Sequence, residues 1–346
     1  MQSWPDKILM QPFGRLADGT PIEVITLGSP AALQARILTY GGILQRLTLP
    51  TRSGSRDLVL SLPDLDSYVR DHAFIGCIIG RYANRIAGAS FELDGKRCHL
   101  TANDGSNHLH GGRVGFGKRT WKVLDFAPGP SARLRLGLRS EGGEEGYPGN
   151  LEVSAEFTLD RDQLGLRFEA ISDAPTPVNL TYHPYFNLGG DRHGFEGDHF
   201  LRISGDRFLP VADGNLIPTG EFRAVEGTPF DFRQSRMLRL PVSDSHPQLG
   251  LAGGYDHCFA ANSTAGEVAE LRSNSSRMAL RMHSDQPGLQ FYGGQRLSRQ
   301  HPHLPQGISL EPQAFPNAPN QASFGPAILR PGKTYSHKLV YRFSSE

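Results

Sequence analysis

Alternation of apolar and polar residues dominates this chain and predicts β-strands. From Leu151 to Leu159 the odd positions are apolar, and the positions between them are polar or charged. After a short polar segment the alternation resumes from Leu164 to Ala170. Because side chains on a strand point alternately to opposite faces, this pattern predicts two half-buried strands joined as a hairpin.

The same alternation recurs in several other parts of the chain. It covers 134–138, the two sides of the Asp94-Gly95 turn, the two sides of 273–276, and 337–343. Asp-Gly is a preferred pair in tight hairpin turns. Helical periodicity is nearly absent, and only the segment 62–72, which contains Pro63-Asp64, predicts a short helix.

No break in composition and no repeat at a fixed period divides the 346 residues. The 40 glycines and 25 prolines are scattered, which is typical of turns between many strands rather than of a linker. All-β architectures often reach this length as one unit. We therefore predict a single all-β domain spanning residues 1–346, built as a large antiparallel β-sandwich.

The charge balance and the cysteine content restrict the class of function. The chain has 36 Lys and Arg against 35 Asp and Glu, so neither a nucleic acid nor a membrane surface is an expected partner. Three widely spaced cysteines fit a reducing compartment better than a disulfide framework. The first residues do not resemble a secretory signal and no apolar run could span a bilayer, so we expect a cytoplasmic protein.

One glycine-rich segment, 112–120, comes close to a phosphate-binding P-loop. The hydroxyl residue that should follow Lys118 is displaced to Thr120, with Arg119 in its place. No buried parallel strand precedes the segment and no amphipathic helix follows it. The sequence therefore argues against a nucleotide site.

Two pairs of histidines, His108 with His110 and His301 with His303, raise the question of a metal ion. A catalytic zinc normally has three protein ligands, and no HExxH motif or cysteine cluster supports one here. We predict no metal site and favour hydrogen bonds from these histidines to a polar ligand. The Gly-x-Ser-x-Gly motif of many hydrolases is absent, whereas a glycosidase with two carboxylates is not excluded by the sequence.

Four segments rich in Gly, Pro and Asn also carry polar and aromatic side chains. They are 80–86, 107–112, 179–188 and 308–313. Neutral donors and acceptors suit the hydroxyl groups of a sugar, and aromatic rings suit its C–H faces. The same residues could also merely shape loops, and for any one segment the two interpretations are about equally good.

Taken together, these segments resemble the aldose 1-epimerase (galactose mutarotase) family from about Leu16 to the C-terminal strand. The matching elements, in family order, are Ala-Asn-Arg-Ile at 83–86, Leu-His-Gly-Gly at 109–112, Tyr-His-Pro-Tyr-Phe-Asn-Leu at 182–188, Gly-Tyr-Asp-His at 254–257, Leu-Gln-Phe-Tyr-Gly-Gly at 289–294 and Leu-Glu-Pro-Gln at 310–313. The resemblance implies the galactose mutarotase-like supersandwich. It also implies an isomerase that interconverts the α and β anomers of free hexoses, such as galactose or glucose, without a cofactor.

The resemblance further implies roles for individual residues. Glu311 would be the general base and His183 the general acid. The residues that would bind sugar hydroxyls are Asn84, Arg85, His110, Asp256 and Gln290, with Arg85 and His110 near the ring oxygen and the anomeric carbon. His108 is a further candidate for sugar binding, although alignment on the Gly-Gly pair at 111–112 favours His110.

Mutarotation needs one acid and one base. One group removes the proton of the anomeric hydroxyl while another protonates the ring oxygen, so the ring opens to the aldehyde and recloses from the other face. A carboxylate is ionised near pH 7 and an imidazole titrates near it, so Glu311 and His183 suit these tasks. Each precedes a proline, which favours extended backbone and predicts side chains that project from strand ends into a cleft.

Three positions depart from the family's pattern. Pro184 follows His183 where a small hydroxyl residue is common, Asn317 follows Pro316 in place of an aspartate, and Gly293 replaces a common threonine. These differences leave the acid and the base in place. We expect them to affect sugar preference and loop geometry.

Other functions on a similar fold remain open. A hexose-6-phosphate 1-epimerase would need a basic pocket, to which Arg81, Arg113 or Arg119 could contribute. A non-catalytic sugar-binding protein would have no need of both Glu311 and His183. A lyase or glycosidase would cleave oligosaccharides. For an aldose 1-epimerase we expect a small sugar as the partner, and a monomer or homodimer.

Overall fold

The computed structural model describes residues 9–345 apart from 52–53, 128, 130, 191–194, 196 and 241–244. Over these residues the chain consists mostly of β-strands and connecting loops. In chain order the strands are β1 (Leu9–Arg15), β2 (Pro21–Gly28), β3 (Gln34–Leu38), β4 (Leu44–Thr51), β5 (Gly54–Asp57), β6 (Ile78–Ile79), β7 (Arg85–Ile86), β8 (Ser90–Leu93), β9 (Lys96–His99), β10 (His108–Leu109), β11 (Lys122–Ala127), β12 (Ala132–Ser140), β13 (Leu151–Asp160), β14 (Gln163–Ser172), β15 (Thr176–Pro177), β16 (Thr181–Tyr182), β17 (Tyr185–Phe186), β18 (His199–Ile203), β19 (Arg207–Phe208), β20 (Arg223–Ala224), β21 (Arg236–Met237), β22 (Asp256–Ala260), β23 (Gly266–Ser273), β24 (Met278–Ser284), β25 (Gly288–Tyr292), β26 (Ile308–Gln313), β27 (Ile328–Leu329) and β28 (Tyr335–Ser345).

The helices are short. The α-helices are α1 (Leu65–Arg70), α2 (Pro247–Ala252) and α3 (Leu297–Gln300), and the 3₁₀ turns are Ala87–Ala89, Phe116–Lys118, Glu144–Gly146, Ala318–Asn320 and Ala322–Phe324. Helix α1 confirms the helix predicted within 62–72, and the side chain of Asp64 caps it by accepting a hydrogen bond from the Ser67 backbone N–H. Among the described residues, no helix combines the length and the apolar character needed to cross a lipid bilayer.

Three antiparallel sheets make up most of the fold. The largest has nine strands in the order β11-β12-β13-β14-β28-β24-β23-β18-β21, the second has six in the order β17-β26-β25-β22-β19-β20, and the third has five, from β1 to β5. Each sheet contributes one apolar face to a shared core, with Leu136, Phe291 and Ile37 among its fully buried residues. The prediction of an all-β fold with large antiparallel sheets is confirmed.

The predicted hairpins are also present. Strands β13 and β14 pair from Leu151 opposite Ser172 to Asp160 opposite Gln163. Strands β8 and β9 pair across the Asp94-Gly95 turn. Period-two alternation located these strands because a strand with one face in the core must alternate apolar and polar residues.

Candidate active site

The six-stranded sheet has one apolar face and one polar face. Phe291 and Leu310 are directly opposite each other on neighbouring strands, and both are fully buried in the core. Gln290 and Glu311, one residue along on each strand, form the adjacent pair and therefore project from the other face. The two strands therefore contribute apolar side chains to the core and polar side chains to the floor of a cavity on the other face.

A cavity that is partly open to solvent lies over this polar face. It brings together residues that are far apart in the sequence. Six of the eight candidate site residues line it, namely Asn84, Arg85, His110, His183, Asp256 and Glu311. Gln290 lies directly beside it, and His108 does not line it.

His183 and Glu311 approach each other at the bottom of this cavity. The Nε2 atom of His183 is 3.4 Å from the Oε1 atom of Glu311, and their side chains are only 4% and 2% exposed. His183 follows the end of β16, as predicted, but Glu311 lies within β26 and not at a strand end. Pro312 is accommodated there because β26 pairs with β17 only through Ile308 and Ser309, so the ladder on that side ends before the proline.

The backbone and ring of His183 are held from several sides. Its backbone N–H donates to the Cys77 carbonyl at 3.0 Å, and its carbonyl accepts from the Gly76 N–H at 3.0 Å. The ring Nδ1 lies 3.4 Å from the Ser309 hydroxyl, and the ring centroid is 5.1 Å from that of Tyr185. These contacts aim Nε2 at Glu311.

Burial moves the pKa values of this pair in opposite directions. Loss of hydration lowers the pKa of His183 to about 4. Loss of hydration, with a smaller contribution from the Asp256 carboxylate, raises the pKa of Glu311 well above its usual range, and Arg85 opposes this rise. The sequence predicted an ionised Glu311 near pH 7; burial favours the uncharged carboxyl group, a direction that the sequence did not reveal. Burial therefore favours the uncharged form of each side chain.

His110 is fixed as a hydrogen-bond donor toward the cavity. The Asn84 backbone N–H donates to its Nδ1 at 3.2 Å, so the proton of the neutral ring must lie on Nε2. Burial, with smaller contributions from His183 and Arg85, lowers the pKa of His110 well below its usual value. The ring therefore stays neutral and presents its Nε2–H group.

Arg85 is anchored on the wall of the cavity. Its Nε donates to Asp104 Oδ2 at 2.7 Å, and its backbone carbonyl accepts from the Asn317 N–H at 2.8 Å. The Asn84 side-chain oxygen accepts from the Arg85 backbone N–H at 2.9 Å, which leaves the Asn84 NH₂ group as a donor. The wall thus offers a cation and neutral donors to a polar ligand.

Asp256 and Gln290 supply hydrogen-bond acceptors at the same cavity. The Gln290 Nε2 donates to Asp256 Oδ1 at 2.6 Å, which sets the orientation of both side chains. The Gln290 Oε1 is buried and has no hydrogen-bond partner among the described residues. This combination of donors and acceptors suits a ligand covered with hydroxyl groups.

His108 is used inside the protein and not in the cavity. Its Nδ1 donates to the Thr101 carbonyl at 2.7 Å, and its Nε2 accepts from the Tyr147 hydroxyl at 2.7 Å. Both ring nitrogens are therefore occupied, and no position is left for a sugar hydroxyl. The placement of His108 among sugar-binding residues is corrected on this ground.

His110, His183 and Glu311 also form the one His/Cys/Asp/Glu group in the described part of the chain whose possible ligand atoms are close enough for a metal ion, within 4.8 Å of one another. Metal binding requires an unprotonated nitrogen from each histidine. The Nδ1 of His110 is occupied by the Asn84 N–H, and its Nε2 carries the proton. The hydrogen bonding of His110 therefore suits a proton-handling site better than a metal site.

Comparison with known proteins decides the family. A sequence profile described as "Aldose 1-epimerase" matches residues 23–342. The chain belongs to the aldose 1-epimerase family. It is 38% identical to the galactose mutarotase of Pongo abelii over 343 residues, which cover 96% of this chain and 97% of that protein. It is 33% identical to the aldose 1-epimerase of Escherichia coli (strain K12) over 342 residues, which cover 95% of this chain and 97% of that protein.

Solved structures agree with this assignment. The galactose 1-epimerase from Lactobacillus acidophilus NCFM has a TM-score of 0.88 with this protein at 30% identity, and the match covers 99% of each chain. The predictions of the family, of its fold and of an isomerase are confirmed. As a member of the aldose 1-epimerase family, this protein is an enzyme that interconverts anomers.

Two of the departures from the family's sequence pattern have a local explanation in this epimerase. Asn317 Oδ1 accepts from the Ala87 backbone N–H at 3.0 Å and from Asn320 at 2.9 Å, so the amide oxygen supplies the acceptor that a carboxylate would. A Cβ on Gly293 would lie 3.1 Å from Gln295 Oε1, so glycine fits this position. Nothing in the structure explains Pro184.

Sequence reasoning missed several residues that line the cavity of this epimerase. Tyr185 and Tyr292 line it, and both lay within the motifs that matched the family. Phe74 also lines it, edge-on to His110 with ring centroids 4.7 Å apart. Phe74 has a left-handed backbone with φ of 59°, a conformation that no local sequence signal indicated.

Proposed function

We propose that this aldose 1-epimerase acts on free hexoses such as galactose and glucose, with Glu311 and His183 as its acid–base pair. The observation that carries the proposal is the 3.4 Å separation of His183 Nε2 and Glu311 Oε1 at the bottom of the cavity. Acid–base catalysis of ring opening needs two such groups, each within reach of a different oxygen of one small molecule.

Ring opening transfers two protons. The reaction starts when the proton of the pair lies on His183: the Glu311 carboxylate then removes the proton from the anomeric O1, and His183 gives its proton to the ring oxygen O5 as the C1–O5 bond breaks. The open-chain aldehyde then faces a protonated Glu311 and a neutral His183, the distribution that burial favours for the pair. Rotation about C1–C2 and reversal of both transfers close the ring to the other anomer.

The surrounding donors stabilise charge on the reacting oxygens. The His110 Nε2–H and the Arg85 guanidinium favour negative charge on oxygen as the C1–O5 bond shifts. Asp256 and Gln290 accept or donate hydrogen bonds at hydroxyls away from the anomeric carbon, so C2 and the rest of the ring stay fixed while C1 changes configuration.

The test follows the optical rotation of freshly dissolved α-D-galactose and α-D-glucose. The unaltered protein should accelerate the change, and Glu311→Gln or His183→Gln should each reduce kcat by roughly 100- to 10,000-fold. Glu270→Gln is a matched control, because Glu270 is also a buried carboxylate but is paired with Arg281 in the nine-stranded sheet. A buffer-level rate with the unaltered protein, or full activity of Glu311→Gln, would refute the proposal.

The preference for free over phosphorylated hexoses rests on the placement of the arginines. Arg81 is buried, and its guanidinium donates to Ser140 and to four backbone carbonyls. Arg119 is paired with Glu144, and Arg113 lines a neighbouring cavity instead. A higher kcat/KM for glucose 6-phosphate than for glucose would show that another cation, such as Arg296 on the cavity wall, binds phosphate.

We also propose that the protein works in the cytoplasm as a single-domain monomer or homodimer. All three cysteines, Cys77, Cys98 and Cys258, are unpaired, which supports a reducing compartment. Cell fractionation and light scattering of the purified protein test the location and the oligomeric state.

A further inference from the structure

Two segments outside the sheets form part of the cavity wall. The first, 72–74, follows α1 and contributes His72, Ala73 and Phe74. The second is α3 with the residue before it, and it contributes Arg296, Leu297 and Gln300. Because neither segment belongs to a strand, the hydrogen bonds of the sheets do not set the distance between them.

A buried pair of side chains connects these two segments. The Nε2 of His301, the residue that ends α3, donates to Asp71 Oδ1 at 2.7 Å. The Asp71 side chain is 6% exposed and that of His301 is 13% exposed. The two residues are 230 positions apart in the sequence, so this contact joins distant parts of the chain.

The same carboxylate holds the backbone on both sides of Phe74. Asp71 Oδ1 also accepts from the Ala73 N–H and Asp71 Oδ2 from the Ile75 N–H, each at 2.8 Å. Between them Phe74 adopts its left-handed backbone, which is unfavourable for a residue with a large side chain. The surrounding contacts must therefore maintain this conformation, and Asp71 supplies two of them.

Phe74 brings this wall close to two imidazole rings of the site. Its ring centroid lies 4.7 Å from that of His110 and 6.1 Å from that of His183. An aromatic ring at such a place offers an apolar surface for the C–H face of a sugar ring.

We infer that Asp71 and His301 form a positioning pair for sugar binding: His301 holds the Asp71 carboxylate, and Asp71 holds Phe74 against the sugar beside His110. The inference rests on the proposed action on free hexoses. Neither member of the pair touches the reacting atoms. His301 thereby has a function in sugar binding that its exposed neighbour His303 does not share.

The first experiment separates KM from kcat. Loss of a wall that contacts the sugar equally before and during reaction raises KM and leaves kcat nearly unchanged. His301→Ala should therefore raise the KM for galactose about five- to tenfold, with kcat within about twofold. His301→Gln, whose amide can donate in place of Nε2, should restore most of the loss, and His303→Ala should behave as the unaltered protein.

A double-mutant cycle tests whether His301 acts through Phe74. Phe74→Ala should raise KM by itself, and adding His301→Ala should then change KM by less than about twofold, because the residue that His301 positions is already gone. An unchanged KM in His301→Ala, full additivity in the double variant, or a fall in kcat alone would each overturn the inference.

Calorimetry measures the same effect without turnover. The dissociation constant for galactose is determined with Glu311→Gln and with the Glu311→Gln, His301→Ala double variant. If the unaltered protein fails to accelerate mutarotation but His301→Ala weakens galactose binding, the proposed function fails and the positioning pair stands. If mutarotation is accelerated and neither KM nor the dissociation constant changes in His301→Ala, the positioning pair fails and the function stands.

Discussion

The Nε2 atom of His183 lies 3.4 Å from Oε1 of Glu311, although the two residues are 128 positions apart in the sequence. Both side chains are almost completely removed from water, so neither charge is well hydrated. Burial therefore favours the uncharged form of each side chain, raising the pKa of Glu311 and lowering that of His183 to about 4. The pH dependence of activity and the pH dependence of stability both follow from these shifted pKa values.

The acid limb of the pH–rate profile should lie near pH 4. Below the pKa of His183, which burial lowers to about 4, the pair takes up a second proton and no base remains. On the alkaline side, kcat/KM should fall only as the pH passes the raised pKa of Glu311, where the last proton is lost. Mutarotation of galactose measured across the pH range, with circular dichroism to verify folding, checks this. An acid limb near 6.5 would place His183 in water.

Glu311→Gln should stabilise the protein increasingly as the pH rises. The folded-state pKa of Glu311 lies above its unfolded value, so the stability that this group contributes is fully present below about pH 4.5 and is lost as the pH rises toward the folded pKa. Glutamine has no such proton. The difference in free energy of unfolding should grow by at most about 1.4 kcal/mol per pH unit. Urea denaturation of both proteins from pH 5 to 8 measures it, and a constant difference would contradict the raised pKa.

Tyr147→Phe should affect stability and not sugar binding. The change removes the hydroxyl that donates to His108 Nε2 and leaves a buried acceptor unpaired, which costs about 1–3 kcal/mol of unfolding free energy. The KM for galactose should stay within about twofold. His110→Ala provides the contrast, since it should impair catalysis or binding directly. A large rise in KM in Tyr147→Phe would return His108 to the sugar site.

Asn317 should tolerate aspartate and not alanine. Asn317→Asp keeps an oxygen that accepts from the Ala87 N–H, whereas Asn317→Ala loses it at a position with a left-handed backbone. Asn317 also donates its backbone N–H to the Arg85 carbonyl; alanine keeps this N–H but disfavours the left-handed backbone that positions it, so Asn317→Ala should lower the free energy of unfolding by about 1–2 kcal/mol and reduce kcat/KM. Steady-state kinetics of both variants distinguish the two outcomes, and equal activity would show that Arg85 is held by other contacts.

The sequence predicted the parts of this protein that depend on local pattern. Strands β13 and β14 were located because a core on one face imposes period two over ten residues in each strand. Glu311 and His183 were found because they lie within short motifs shared with a family. In both cases the information lies within a few consecutive residues.

Other features depend on contacts between distant residues and were not predicted. The hydrogen bond that engages His108 Nε2 comes from Tyr147, 39 positions away. The position of Phe74 depends on Asp71 and His301. The shifted pKa values of Glu311 and His183 result from burial, which no single segment reveals. Alternation predicts which side of a strand is apolar, but not which polar side chains are closed off from water.

The position of Glu311 in the interior of β26 links catalysis to the integrity of the sheet. A slip of the strand by one residue would turn Glu311 into the core and bring Leu310 to the cavity, so a form of this sheet with a shifted register cannot retain the acid–base geometry. The activity that remains during denaturation should therefore be proportional to the fraction of molecules whose sheet keeps its native register. The rate of mutarotation would then serve as a quantitative reporter of the folded fraction.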